Sequence, residues 1–326
     1  MISQNLPFTM QEMIGRPLMV RPSHATMVVS ALSGRFGINE LKLHTDFETM
    51  SSRDMEDLAA LGRQVARESK SKKEGSAHPG VSREGEDYGE RWCPYQLTSS
   101  GIAIIPVQGT LKRTWGVGPY SGCTGYDGIW TQMLHALANP EVKAIWFSHN
   151  SGGGAVDGVF DLAQGIFANN EKNGGKPMWA MASDHSYSAS YLLAAACDKV
   201  FVPFTGGVGS IGCCVIHAEM SQALEDDGIK ATIFRSGDRK MRGNSIEPLD
   251  DKTIASIQED VDVCADHFID HIVMFRGGKK GLSKKTVSEM QGAEYMGARA
   301  LATGLVDDVL SEPEAWAKLE RQIARK

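Results

Sequence analysis

The sequence has no C-x-x-C pair, and its six cysteines (Cys93, Cys123, Cys197, Cys213, Cys214 and Cys264) are scattered. That excludes a cysteine zinc site and a disulfide framework, and it fits a reducing cytoplasm. No apolar run reaches the length of a membrane span, and residues 1–22 lack the apolar core of a signal peptide. Neither membrane nor secretory character is expected. Basic charge is not in excess: 34 Lys and Arg stand against 40 Asp and Glu, for a formal net charge of −6. This weighs against a nucleic-acid partner. The histidines lack metal-ligand spacing. His267 and His271 stand four apart but have no third ligand in sight, and His149 and His217 lie in unrelated settings. No metal or cofactor is therefore expected, and no internal repeat is visible.

What remains is an ordinary globular composition, with 42% hydrophobic and 23% charged residues in a chain of 326. Three regions are expected. Residues 1–66 read as a small N-terminal helical region, with an apolar stretch at 25–32 and helical spacing through Met55, Leu58, Leu61 and Val65. Residues 67–98 read as an exposed, mobile linker, because 67–76 and 83–91 are rich in charge and almost free of aliphatics. Lys70, Lys72 and Lys73 are interleaved with glutamates, which favours a solvated linker over nucleic-acid contact. Residues 99–326 form the main domain.

In that domain strands and helices alternate. Strands are expected at 102–107, 144–147, 178–182, 200–202, 208–215 and 231–234, with helices at 127–138, 156–168, 188–197 and 220–227 between them. This predicts an α/β fold, a mostly parallel sheet with βα units and right-handed crossovers. A long helix over 249–275 carries one apolar stripe through Ile254, Ile257, Val261, Cys264, Phe268, Ile272 and Phe275. Shorter helices follow at 282–290, 298–301 and 313–323.

Three polar features share one topological address, just beyond strand C-termini, where sites of such sheets form. The first is Ser151-Gly152-Gly153-Gly154. Its glycines admit three readings: backbone donors for an oxyanion, a loose dinucleotide fingerprint, or a tight turn. The second is the hydroxyl-rich stretch after 182, holding Ser183, Ser186, Ser188 and Ser190. A serine there would lie beside the free N–H groups of a helix start. The residues alone do not choose among the four, and one of them acting as an N-cap is the plain alternative. The third is Ser236-Gly237-Asp238-Arg239-Lys240. A nucleophilic serine needs a base. His185, after Asp184, is one candidate, although neighbouring side chains in one turn rarely reach triad geometry. Lys240 is the other. A lysine serves as a base only when neutral, which burial or flanking cations such as Arg235, Arg239 and Arg242 promote.

The stretches Asn150-Ser-Gly-Gly-Gly-Ala-Val156, Tyr187-Ser-Ala-Ser-Tyr191, Val208-Gly-Ser-Ile-Gly212 and Phe234-Arg-Ser-Gly-Asp-Arg-Lys240 resemble the signal peptide peptidase A (protease IV) family. These are Ser-Lys peptidases with a crotonase-like fold shared with the Clp protease. Pro17-Leu-Met-Val20, Pro119-Tyr-Ser-Gly-Cys-Thr-Gly-Tyr126 and the segment from Tyr295 to Asp308 point to the branch of capsid assembly proteases of lambda-like tailed phages. The resemblance implies Ser188 as nucleophile and Lys240 as general base. It implies an oxyanion hole made by Gly153, Gly154 and the N–H of Ala189. Gly152 stands where the family has proline, and Met241 where cellular members have aspartate. Ser188-Ala-Ser-Tyr191 stands for the family's Ser-Gly-Gly-Tyr.

The implied activity is peptide hydrolysis inside the phage procapsid, in the host cytoplasm. Its substrates would be protein: scaffold, the protease itself, and head proteins such as the portal. A homo-oligomeric ring is also implied. Phage relatives often continue into a scaffold segment, whereas this sequence ends at Lys326. Two alternatives belong to other classes. A crotonase-fold enzyme acting on acyl-thioesters would share the glycine loop but would need neither Ser188 nor Lys240. A non-catalytic assembly protein would need no dyad at all.

Overall fold

The structure, a computed structural model, describes residues 18–20, 93–119, 122–278 and 281–325. The apolar stretch at 25–32, the helical spacing at 54–66 and the linker as far as residue 92 lie outside the described residues. The chain divides into two compact units. The larger comprises residues 19–21, 79–213 and 264–326, and the smaller 1–18, 22–78 and 214–263.

In chain order the first strands are β1 (Leu18–Val20), β2 (Gln96–Leu97), β3 (Ile102–Lys112) and β4 (Cys123–Gly125). Then come α1 (Tyr126–Ala138), β5 (Ala144–Ala155), α2 (Val159–Ala168), β6 (Met178–Tyr187), α3 (Ala189–Ala195), β7 (Lys199–Val202) and β8 (Gly207–Gly209). Helix α4 (Ser221–Asp226) belongs to the smaller unit, and α5 (Asp251–Arg276) has residues in both. The chain ends with α6 (Lys284–Ser288), β9 (Glu294–Met296), α7 (Ala298–Ala302), β10 (Asp308–Val309) and α8 (Glu312–Ile323).

The sheet runs β10-β7-β6-β5-β3-β2, with β1 on β5, β4 on β3, β8 on β6 and β9 on β8. Strands β3, β5, β6, β7 and β10 pair in parallel, while β2 and β9 are antiparallel to their neighbours. This is the mostly parallel α/β architecture expected from the alternation. Both faces are covered, so the strands are apolar on both sides. Successive residues part to opposite faces. Ile145 and Phe147 join the core that includes residues of α1, α2, α3 and α5. Ala144 and Trp146 join a second core, closed by Ala315, Leu319 and Ile323 of α8. The stripe on α5 behaves as its spacing predicts: Phe268, Ile272 and Phe275 are buried, and Phe275 packs on Phe167 at 4.8 Å between ring centroids.

Several boundaries differ from expectation. Strand β5 runs to Ala155 and β6 to Tyr187, well past 147 and 182. Polar and glycine residues stay in strand conformation there because partners are available: Gly153 pairs with Thr110, Gly154 with Leu111, and Ser151 with Ser186. The Ser151–Gly154 segment is thus the C-terminal part of a strand and not a loop beyond it. The strand expected at 208–215 contracts to β8. No strand forms at 231–234. Phe234 there is 94% exposed, so the segment has neither a ladder partner nor a face to bury.

The C-terminal segment is tied to the sheet by a buried ion pair. Arg276 Nη1 donates to Asp307 Oδ2 at 2.8 Å, and the same oxygen accepts the Val200 amide at 2.8 Å. Arg276 Nη2 donates to Gly304 O at 3.2 Å. Removing one partner strands a buried charge, which costs about 3–5 kcal/mol. Asp307→Ala is therefore expected to lower unfolding stability by that order, read as a lower urea midpoint at unchanged slope.

Candidate active site

The C-terminal ends of β5 and β6 and the start of α3 converge in the larger unit. Their ladder is offset. His149 pairs with Ala182, but the next aligned residues are Ser151 and Ser186. Between those pairs β6 holds Ser183, Asp184 and His185 where β5 holds only Asn150. Such bulges re-aim the side chains that follow them.

Ser188 is the N-cap of α3, with φ 55° and ψ −123°. Few non-glycine residues adopt such a backbone, and it is characteristic of nucleophiles on sharp strand-to-helix turns. The Ser188 amide donates to Gly209 O at 2.9 Å, and its carbonyl accepts the Leu192 amide at 3.0 Å. The residue is 1% exposed, and its Oγ has no hydrogen-bond partner among the described residues.

The other three hydroxyls of this stretch are engaged. Ser183 Oγ donates to Glu312 Oε2 at 2.9 Å. Ser186 and Ser190 contact each other at 2.9 Å, and both contact His149 Nδ1, at 3.2 and 2.9 Å. His185 Nδ1 lies 3.4 Å from Asp184 Oδ2, and its ring stacks on Tyr187.

Gly153 and Gly154 bring backbone against this turn. Gly153 has φ +103°, and a Cβ there would lie 2.1 Å from Met19 O and 3.0 Å from Ser188 Cβ. A Cβ on Gly154 would lie 1.9 Å from Leu111 O. Both positions therefore demand glycine. The Gly153 amide donates to Ser151 Oγ at 3.1 Å, and Ser151 Oγ donates to Gly109 O at 2.6 Å. Ala189, the first residue of α3, is buried, and its N–H has no acceptor within the helix.

Lys240 lies in the smaller unit, exposed, with its amide donating to Gly237 O at 3.1 Å. Its segment is braced by Arg235 pairing with Glu247 and by Arg242 at 4.0 Å from Asp250. The expectation that Lys240 follows a strand fails with the missing strand at 231–234. Among the described residues no cluster of His, Cys, Asp and Glu is arranged to hold a metal ion.

Residues 170–325 match the model of peptidase family S49. The matched span contains both Ser188 and Lys240. The chain is 33% identical over 313 residues to the capsid assembly protease C of Escherichia phage lambda, covering 96% of this chain and 65% of that protein. It is 33% identical over 241 residues to the head-tail preconnector protein GP5 of Enterobacteria phage P21, covering 73% of this chain and 47% of that one. The chain thus spans less than two thirds of the length of either relative, 65% of one and 47% of the other. Among solved structures it is similar to an enoyl-CoA hydratase/isomerase family member, at 15% identity and TM-score 0.42 over 71% of this chain and 75% of that one.

Sequence reasoning missed His149 on β5. Its one signal was a histidine closing an apolar run, Ala144-Ile-Trp-Phe-Ser-His149. The side chain is fully buried, and burial pushes its pKa from the ordinary 6.5 down to about 3. In the unfolded chain the ring takes up a proton below about 6.5, whereas the folded ring resists one until about 3. Stability from this group is complete above the first value and declines as pH falls toward the second. Urea unfolding between pH 7 and 4 is expected to show a steeper loss for wild type than for His149→Asn. A second expectation concerns the glycines: Gly154→Ala should collapse activity and lower stability by several kcal/mol, since backbone must move to admit the methyl. Its urea midpoint tests the point directly.

Proposed function

We propose that this chain is a serine endopeptidase of phage head assembly, working through a Ser188–Lys240 dyad. The observation that carries the reading is Ser188 itself: a strained N-cap serine whose Oγ is buried and has no partner among the described residues, while the neighbouring Ser183, Ser186 and Ser190 are engaged. The phage relatives and the S49 match supply the reaction class and its setting.

In this mechanism neutral Lys240 accepts the Ser188 hydroxyl proton as Oγ attacks a peptide carbonyl. The tetrahedral oxyanion is held by backbone amides at Ala189, Gly153 and Gly154. The Gly153 amide, now bonded to Ser151 Oγ, turns to the oxyanion as it forms. The proton passes to the leaving amine, the C–N bond breaks, and water hydrolyses the acyl-enzyme. The substrates are the scaffold, the protease itself and head proteins such as the portal, within the procapsid. The working form is a ring of identical chains.

Co-expression with the candidate scaffold tests the reading. Wild type should cleave it, and Ser188→Ala and Lys240→Ala should each lower cleavage by at least about a thousandfold. Undiminished cleavage by Ser188→Ala would sink the assignment. Loss with Ser188→Ala but retention with Lys240→Ala would move the base to His185.

A further inference from the structure

One buried group near the turn has no part in that mechanism. His149 lies on β5, and its Nδ1 meets Ser190 Oγ at 2.9 Å and Ser186 Oγ at 3.2 Å, while the two hydroxyls meet each other at 2.9 Å. All three side chains are buried. Ser186 stands two residues before Ser188 and Ser190 two residues after it. The backbone that turns at Ser188 is therefore pinned on both sides to one ring on the neighbouring strand.

The pin sits where the ladder gives out. The last regular β5–β6 pair is His149 with Ala182, and pairing resumes only at Ser151 with Ser186. Across that break His149 is the side chain that links β5 to both β6 and α3. A backbone as unusual as that of Ser188 persists only when its surroundings over-determine it. The ring also suits a fixed bridge better than a proton carrier. A charged imidazole needs acceptors at both nitrogens, and Nε2 has no partner among the described residues. The ring stays neutral across the working range of pH, consistent with its depressed proton affinity.

We propose that His149, with Ser186 and Ser190, is a positioning residue that holds the Ser188 turn in its reactive conformation. The inference rests on Ser188 being the nucleophile. His149 makes no hydrogen bond to Ser188 Oγ, which has none among the described residues, so it acts through the backbone at both sides of the turn. A histidine that merely filled the core would be replaceable by leucine of similar volume.

The test measures the labelling rate of full-length protein by a fluorophosphonate probe, alongside urea midpoints for each variant. His149→Leu is expected to label roughly ten- to a hundredfold more slowly, the scale of misplacing a reacting group by about 1 Å. His149→Asn, which keeps a polar group near the Nδ1 position, should recover most of the rate even where its midpoint is no higher than that of the leucine variant. Ser190→Ala should fall between them. Labelling of His149→Leu at the wild-type rate would overturn the proposal. So would equal rates for the leucine and asparagine variants at different midpoints. If His149→Leu does not fold, Ser190→Ala decides, and wild-type labelling by that protein overturns the proposal. Ser188→Ala is the separate control: specific labelling that survives it removes the nucleophile assignment and not the hydrogen-bonded bridge.

Discussion

The offset between β5 and β6 is the constraint on which the site depends. Two parallel strands in perfect register would carry their C-terminal residues out side by side. Here β6 takes two more residues than β5 between aligned pairs. Ser183, Asp184 and His185 stand there against Asn150 alone. The return to pairing at Ser186 leaves only one residue, Tyr187, before the helix must begin. The chain meets that demand by placing Ser188 at φ 55°, a conformation with a real energetic cost for a residue with a Cβ. The cost is met locally by hydrogen bonds at both ends of the turn, to Gly209 O and from Leu192 N, and by the His149 bridge.

Glycine at 153 and 154 is the other half of the same constraint. The end of β5 must lie against Met19 and Leu111 backbone and against the Cβ of Ser188. No side chain fits there. Helix α3 is then driven into the core, since every residue from Ala189 to Ala195 is buried and its alanines permit close packing on the sheet. On the far side, Tyr191 OH donates to Leu305 O at 2.7 Å. The turn is therefore anchored to the C-terminal segment, which the Arg276–Asp307 pair fastens to β7. A local strain is supported by long-range contacts.

The smaller unit follows a different logic. Residues 214–250 bury little, and Phe234 and Ile229 face outward. Its order comes from ion pairs and turns, such as Arg235 with Glu247 and the Met220 amide on Ser245 O at 2.7 Å. Lys240 belongs to this unit and Ser188 to the larger one.

Much of the architecture was legible in the residues alone. Short apolar runs identified β3, β5 and β6, because strands covered on both faces are apolar throughout, and the stepping of Phe268, Ile272 and Phe275 identified α5, because burial of one face imposes that repeat. Strand ends were not legible. Ser148 to Gly154 looks like loop by composition, yet it remains in the sheet because β3 and β6 continue beside it, and pairing partners are a property of the fold. The reverse error at 231–234 has the same origin: apolar residues without a neighbouring strand do not make one. Among the four serines of the turn, local chemistry was degenerate, since each is a small hydroxyl close to a helix start. The sequence by itself determined that a serine-rich strand-to-helix turn, a glycine run and a lysine segment occur in the order seen in Ser-Lys peptidases. Only the tertiary structure decided that Ser183, Ser186 and Ser190 are engaged while Ser188 Oγ is not, because those partners, Glu312 and His149, lie far away in the chain and are brought near by packing.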